Sequence, residues 1–443
     1  MKIVQAVGWY YPGSLGGTEV YVASLCHWLV TAGHDVLVAA PDATAREEQI
    51  YEYDGVPIYR YPIPLQPTRA ECQGTKPVRG AERFHEWLQQ QHPDIVHFHT
   101  FVTGLGLAEV RAAKAVGARV IVTTHAGSLG YLCQRGTMMR WGKTLCDGVC
   151  SPSKCAACAL QHRGLAKPLA WAIGTLPPAW GKRFHDTPGK LATALGMSAL
   201  IAHNQAQQHE LLAVVDAFVV LTQWAVEAVA ANGAPREKLI CNRLGVSQTI
   251  SARKPSPEQR PTTLPLSVGY VGRFDAIKGV HDLARAIADV PRTLPLQVEF
   301  RGPTTSETER GVLRELRATV GDDPRVTFAP AVTTTAMPQI LAGYDVLCCP
   351  AVCLEGGPTV AIEAHAVGTP VIGTRIGGLA ELITDGVNGK LVRPGNWREL
   401  AGVLRAIVVD PHGTVDAWRR ALPIARTMDE VTADYLALYA EQH

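Results

Sequence analysis

Short apolar runs alternate with stretches whose apolar positions recur every three or four residues, and the alternation occurs twice along the chain. In the first half, the runs at 3–8, 36–40, 95–98, 120–123 and 217–221 predict buried parallel strands, because a strand covered on both faces is apolar without skipping positions. Helical patterns such as 18–32 lie between them. The second half repeats the scheme, with runs at 266–271, 296–300, 326–328, 345–349 and 370–373. Such alternation predicts parallel sheets covered by helices. The expected architecture is α/β, with two Rossmann-like domains facing across a cleft, since ligands of these sheets bind beyond the carboxyl ends of the strands.

Segment 247–265 holds four prolines and almost no apolar periodicity, which is linker composition. The expected domains are therefore 1–246 and 266–425. A last helix within 426–443, carrying Val431, Tyr435, Leu436 and Tyr439, is expected to pack back toward the first domain. A length of 443 residues suits two cores better than one.

Composition narrows the function classes. The 42 basic and 40 acidic residues leave a net charge of +2, so there is no electrostatic case for nucleic acid as a partner. No segment offers the roughly 18 uninterrupted apolar residues of a spanning helix. The first residues read as a strand and lack the longer apolar stretch of a secretory signal, so a cytoplasmic location is expected.

Candidate chemistry concentrates in the second half. In Val271-Gly-Arg-Phe-Asp-Ala-Ile-Lys-Gly279, a buried strand ends, Gly272 turns the chain, and Arg273 and Lys278 follow near a helix start. Two cations beside a helix N-terminus suit a diphosphate, with arginine as a planar fork and lysine as a mobile point charge. Taken alone, such a pair is more often an ordinary solvated one.

In Cys349-Pro-Ala-Val-Cys-Leu-Glu-Gly-Gly-Pro-Thr-Val-Ala-Ile-Glu-Ala364, a strand runs into a glycine-rich loop and then a helix. Glu355 stands in the loop, where a carboxylate can bond sugar hydroxyls. Glu363 stands in the helix, where a carboxylate can accept from both hydroxyls of a ribose. Backbone N–H groups of Gly357 and Thr359 would face phosphate, whereas Pro358 has none to offer. Taken alone, acids near a helix start are simply favoured by its dipole.

Together the two segments resemble the retaining glycosyltransferases of the two-domain GT-B type (glycosyl transferases group 1, family 4 type). Arg273 and Lys278-Gly279 match that family's R-x4-K-G pattern, and Glu355 and Glu363 match its pair of glutamates with seven residues between them. Gly368-Thr-Pro-Val-Ile372 and the run 377–389 also match. The resemblance spans nearly the whole chain and is strongest over 268–392.

It implies a hexosyltransferase that takes a nucleotide-diphosphate sugar as donor, retains anomeric configuration and needs no divalent metal for the transfer. The acceptor class it implies is a glycan, a lipid-linked or another glycoconjugate. Arg273 and Lys278 would hold the diphosphate, Glu355 the sugar and Glu363 the ribose. Many members carry Glu-Gly-Phe-Gly-Leu where this chain has Glu355-Gly-Gly-Pro-Thr, which removes one backbone contact. Gly16 and Gly17, in a loop after the first strand, would let backbone approach the donor phosphates. His125, just past a strand end, would lie near the transferred sugar. His97 and His99 read as structural histidines.

Five of the eleven cysteines crowd between 133 and 158, in a cysteine-rich insertion at about 129–165. Cys155 and Cys158 form a CxxC, and Cys133 and Cys150 would complete a four-thiolate structural zinc site, with Cys146 as the alternative ligand. Free or disulfide-bonded thiols, or an iron–sulfur site, are the other readings. The insertion resembles one found in a subset of the same glycosyltransferases. Segment 165–199 is apolar and flanked by cations. It reads either as buried helical structure or as a peripheral contact at the inner face of a membrane near a lipid-linked acceptor.

Three rival functions remain at this stage: a nucleotide-sugar epimerase of the same shape, an inactive nucleotide-sugar-binding protein and a nicotinamide oxidoreductase. No strand-linked GxGxxG with a downstream acid supports the last.

Overall fold

A computed structural model describes the chain except residues 14–15, 126, 185, 247–264, 355 and 442–443. Glu355 and the linker up to Leu264 therefore lie outside the described residues. The chain forms two compact units. The first comprises Met1–Arg243 and Met428–His443, and the second Leu244–Thr427.

The first unit carries β1 (Lys2–Ala6), β2 (Asp35–Asp42), β3 (Gln49–Tyr53), β4 (Val56–Pro62), β5 (Ile95–Phe98), β6 (Arg119–Thr124), β9 (Ala217–Val220) and β10 (Leu239–Cys241). A small hairpin, β7 (Met139–Arg140) and β8 (Thr144–Leu145), interrupts that series. The second unit carries β11 (Leu266–Val271), β12 (Leu296–Gly302), β13 (Val326–Pro330), β14 (Val346–Cys349), β15 (Val371–Thr374) and β16 (Gly389–Val392). The large sheet runs β10-β9-β6-β5-β1-β2-β4-β3, parallel except for the edge strand β3. The second sheet runs β13-β12-β11-β14-β15-β16 and is parallel throughout. The two Rossmann-like sheets are those of the GT-B fold class.

Alternation within each strand of the second unit feeds two cores. Val346, Ile372 and Val392 enter one cluster with Val268, Val298 and Phe300. Their neighbours Leu347, Val371 and Leu391 enter the other with Leu379 and Ile383. Helices on both faces of the sheet cover these rows, which is why the strands read as unbroken apolar runs.

The first unit closes differently. Its last helix, Met428–Ala440, buries Tyr435 and Tyr439 completely or nearly so. The Tyr435 hydroxyl meets Tyr21 Oη at 2.9 Å and Thr123 Oγ1 at 2.9 Å, and Tyr439 meets His97 Nδ1 at 2.7 Å. Tyr21 belongs to the helix Gly17–Thr31 that follows β1. The final helix thus supplies partners for polar atoms that the sheet would otherwise bury bare.

Sequence periodicity did not reveal β3, β4, β10 or β16. The edge strand β3 buries no residue, β4 carries Arg60 inside its buried run, and β10 and β16 are only three and four residues long. Among the described residues no helix is long and apolar enough to cross a membrane.

Candidate functional site

Strand order reverses between β11 and β14 in the second sheet, because β12 and β13 lie on one side of β11, and β14, β15 and β16 on the other. The loops leaving two adjacent strands at such a switch point diverge, and the crevice between them is where parallel sheets bind ligands. Both motif segments leave the sheet there.

The loop after β11 is a tight one. The Asp275 carboxylate accepts from the Ile277 amide at 3.1 Å and starts a single helical turn, Ala276–Lys278. Gly279 ends that turn at φ +70° and begins the helix Val280–Asp289. Tyr270 Oη donates to the Arg273 carbonyl at 2.7 Å, fixing the backbone while the Arg273 side chain is exposed. The Arg273 guanidinium has no partner among the described residues. Lys278 is half-buried.

The loop after β14 is stitched to this turn: the Val352 amide donates to the Ile277 carbonyl at 2.9 Å. The Thr374 hydroxyl holds the Ala351 carbonyl at 2.7 Å from the other side. Arg273, Lys278 and Gly272 therefore share one end of the sheet with the loop that leads to Gly357 and Thr359.

The helix Thr359–Ala366 follows, with Pro358 as its cap residue. The Thr359 amide is spent on the Gly357 carbonyl at 3.0 Å, so the expected phosphate contact from that N–H is taken by a turn, leaving an exposed Thr359 hydroxyl. Glu363 lies one turn into the helix, and its carboxyl has no partner among the described residues. Burial pushes it up to about 7. A carboxyl that is desolvated and unbonded is costly to keep, and it awaits hydrogen-bond donors.

In the first unit the order reverses between β1 and β5. The Gly8 amide donates to Thr100 Oγ1 at 2.5 Å, tying the loops that leave those strands. A cavity of about 290 Å³ opens there, lined by Trp9, Thr18, His99, Phe101, Thr124 and His125, among others. Trp9 is 56% exposed and Phe101 stacks on Tyr131 with ring centres 5.3 Å apart.

His125 is half-buried, and its ring meets Tyr21 edge-on at 4.7 Å. Desolvation depresses its pKa to about 3, so it stays neutral at physiological pH and is a weak base. Gly17 has open space beside its α-carbon. At Gly16 a β-carbon would lie 2.6 Å from the Glu19 carboxylate.

Residues that sequence reasoning missed or set aside are Gln5, Trp9 and His99. Gln5 and His97 are register partners on β1 and β5, and His97 Nε2 reaches Thr123 Oγ1 of β6 at 2.7 Å. Polar residues in otherwise apolar strands were the available signal.

The five clustered cysteines line one small cavity. Among the described residues, no group of three or more Cys, His, Asp or Glu is disposed to hold a metal ion. Of the four thiols assigned to that role, Cys133, Cys150, Cys155 and Cys158, the last three have short-range partners. The Cys150 thiol bonds the Cys155 sulfur, which lowers Cys155 to about 6 and raises Cys150. The Trp141 amide donates to Cys158 Sγ at 3.4 Å. Cys146 turns to the Asp147 carboxylate at 3.6 Å.

Comparison with known proteins agrees with both halves. A family model described as "Glycosyl transferase 4-like domain" matches residues 16–245, and one described as "Glycosyl transferases group 1" matches 265–410. A D-inositol 3-phosphate glycosyltransferase of Arthrobacter sp. (strain FB24) is 25% identical over 424 residues, covering 92% of this chain and 86% of that protein. Its counterpart in Nocardia farcinica is 36% identical over 148 residues, a match that spans only 33% of that protein and 32% of this chain. Among solved structures, Anabaena Alr3699/HepE in complex with UDP superposes with a TM-score of 0.62 at 14% identity, covering 99% of each chain. Sucrose-phosphate synthase from Thermosynechococcus elongatus does so with a TM-score of 0.65 at 18% identity, covering 99% of this chain and 98% of that one. At such identities the likeness is one of fold.

Proposed function

This chain belongs to the group 1 glycosyl transferases of GT-B fold, and on that premise we propose that it moves a hexose from a nucleotide-diphosphate sugar to a glycan, lipid-linked or other glycoconjugate acceptor, with retention of configuration. The observation that carries this reading is the hydrogen bond from Val352 to Ile277. It joins the cation-bearing turn after β11 to the loop that leads to Glu363, at the point where strand order reverses.

The chemistry follows from the charges. Breaking the sugar–phosphate bond leaves an electron-poor sugar and an anionic diphosphate. Arg273 and Lys278 stabilise the charge that develops on the diphosphate, a role that needs no proton transfer and no metal ion. Glu363, ionised, accepts from the two ribose hydroxyls and so orients the donor. Glu355 contacts the sugar. The acceptor hydroxyl attacks from the face that the diphosphate leaves, and the departing phosphate takes its proton. His125, neutral and beside a cavity with an exposed Trp9, serves the sugar or acceptor as a hydrogen-bonding group and takes no part in proton transfer.

The test is release of nucleoside diphosphate from a panel of sugar nucleotides, with and without acceptor. Wild type should turn over one of them, and Lys278→Ala should lower kcat by about 100-fold or more, the usual cost of losing one charge-stabilising donor. No release from any donor, with Lys278→Ala indistinguishable from wild type, overturns the reading.

A lipid-linked acceptor would meet the enzyme at the inner face of a membrane. Leu169, Trp171, Trp180 and Leu191 are exposed beside Lys167, Lys182, Arg183 and Lys190, a mixture that suits an anionic lipid surface. Flotation with anionic vesicles but not zwitterionic ones is the expected result. No flotation with either removes the membrane contact and leaves sugar transfer untouched.

A further inference from the structure

His125 is the end of a hydrogen-bonded chain of three side chains. His99 Nε2 lies 2.6 Å from Gln5 Oε1, and His99 Nδ1 lies 3.2 Å from His125 Nε2. Gln5 is fully buried and His99 is 1% exposed. The His99 backbone is pinned too, its amide donating to the Ala6 carbonyl at 2.9 Å. These side chains sit on or beside the ends of neighbouring strands: Gln5 on β1, His99 one residue past β5, and His125 one residue past β6.

The proton positions follow from elementary hydrogen-bond rules. An amide oxygen only accepts, so His99 Nε2 must carry a hydrogen. Burial and the neighbouring imidazoles His97 and His125 keep His99 well below its ordinary pKa, so it holds one ring proton only. His99 Nδ1 is therefore a bare acceptor, and the hydrogen between the two rings belongs to His125 Nε2. His125 is neutral as well, which leaves its Nδ1 with a lone pair and no partner among the described residues.

We propose that Gln5 and His99 are positioning residues that lock His125 in the Nε2-protonated form, so that its Nδ1 meets the bound sugar as a hydrogen-bond acceptor. This rests on the sugar-transfer reading for the identity of the ligand, but the locked form itself does not. An acceptor nitrogen selects a hydroxyl and disfavours a phosphate or carboxylate oxygen, whose lone pairs it would face. The site at His125 is thereby assigned to a sugar hydroxyl and not to an anionic group. The reverse order of donors, with the Gln5 amide nitrogen toward His99, would present Nδ1–H instead and would select an anion.

The experiment is two-bond ¹H–¹⁵N correlation spectroscopy on the full chain labelled at histidine, near pH 7.5, with His125 assigned by its disappearance in His125→Gln. The expected spectrum shows His125 as one neutral form, with Nε2 protonated and Nδ1 bare. A protonated Nδ1, or a doubly protonated ring, overturns the proposal whether or not sugar transfer is found.

Two variants test the lock. His99→Asn keeps an acceptor at the place of Nδ1 and should preserve the His125 pattern. His99→Phe removes it and should release His125 into a mixture of forms, with kcat lowered about tenfold and the KM for the donor changed less than threefold. An unchanged single form in His99→Phe overturns the role of His99. If that variant does not fold, the wild-type spectrum and His99→Asn decide alone.

Discussion

Gly279 lies so close to Pro350 that a β-carbon on the glycine would stand 1.8 Å from the proline carbonyl oxygen. The clash is with backbone that leads into the loop after β14, so it cannot be relieved by turning a side chain. The φ of +70° at Gly279 adds the strain that any L side chain would meet there. Glycine after Lys278 is thus required by contact between the two loops of the proposed donor site. Gly279→Ala should destabilise the second unit by about 3 kcal/mol and lower donor affinity through displacement of Lys278. Thermal melts with titration of the donor check this. A variant with wild-type stability and affinity would refute the contact.

The sheets were largely legible because their central strands are apolar on both faces, and the donor motif because cations and acids recur at fixed spacing around glycines. The turn chemistry near Thr359 was not legible. Whether its amide faces a ligand or the Gly357 carbonyl depends on local φ and ψ that Gly-Gly-Pro-Thr does not determine. The link from Gln5 through His99 to His125 joins residues 94 and 26 positions apart, and only strand order brings them together. The cysteine spacing predicted a cluster, and the fold gathers the five thiols around one small cavity.

The buried histidines make the first unit acid-labile. His97 and His99 are held well below their ordinary pKa by burial, with neighbouring imidazoles adding to it. Unfolded chain takes up protons at these residues as pH falls below about 6.5, whereas folded chain does not, so their contribution is intact above that pH and is lost below it. Two such groups remove about 3 kcal/mol for each pH unit. The melting temperature of the first unit should drop steeply between pH 6 and pH 4, followed by calorimetry. A flat profile over that range would show that these histidines are protonated in the fold.

Trp9 stands 56% exposed at the cavity that His125 lines. An indole in that place offers a face to a sugar ring, whose C–H groups it can cover while hydroxyls meet polar neighbours. Removing it should cost about 1 kcal/mol of acceptor binding, or roughly fivefold in acceptor KM. Steady-state kinetics of Trp9→Ala at saturating donor test this, with hydrolysis of the donor in the absence of acceptor expected to stay near wild type. Equal losses in both reactions would place Trp9 on the donor side.

Glu363 combines a stability cost with the binding role proposed for it, and the two should respond to pH in opposite ways. Burial raises its carboxyl from 4.5 to about 7. Between those values the folded protein keeps the proton and the unfolded chain has lost it, so stability declines as pH rises through this window and the full cost applies above it. That cost is on the order of 3 kcal/mol. Glu363→Gln, a neutral isostere, should therefore melt higher than wild type at pH 8, by roughly 5 °C in the second unit, and the difference should vanish near pH 4. Donor binding should behave inversely. Ribose hydroxyls need the ionised carboxylate, so wild-type affinity should weaken as pH falls below about 7, and Glu363→Gln should bind weakly at every pH. Binding in turn should lower the carboxyl pKa, so that donor association near pH 7 releases a fraction of a proton, measurable by calorimetry in buffers of different ionisation heat. A variant that is no more stable than wild type at pH 8, or that binds donor as tightly, would show that Glu363 is not an ionised grip on the ribose.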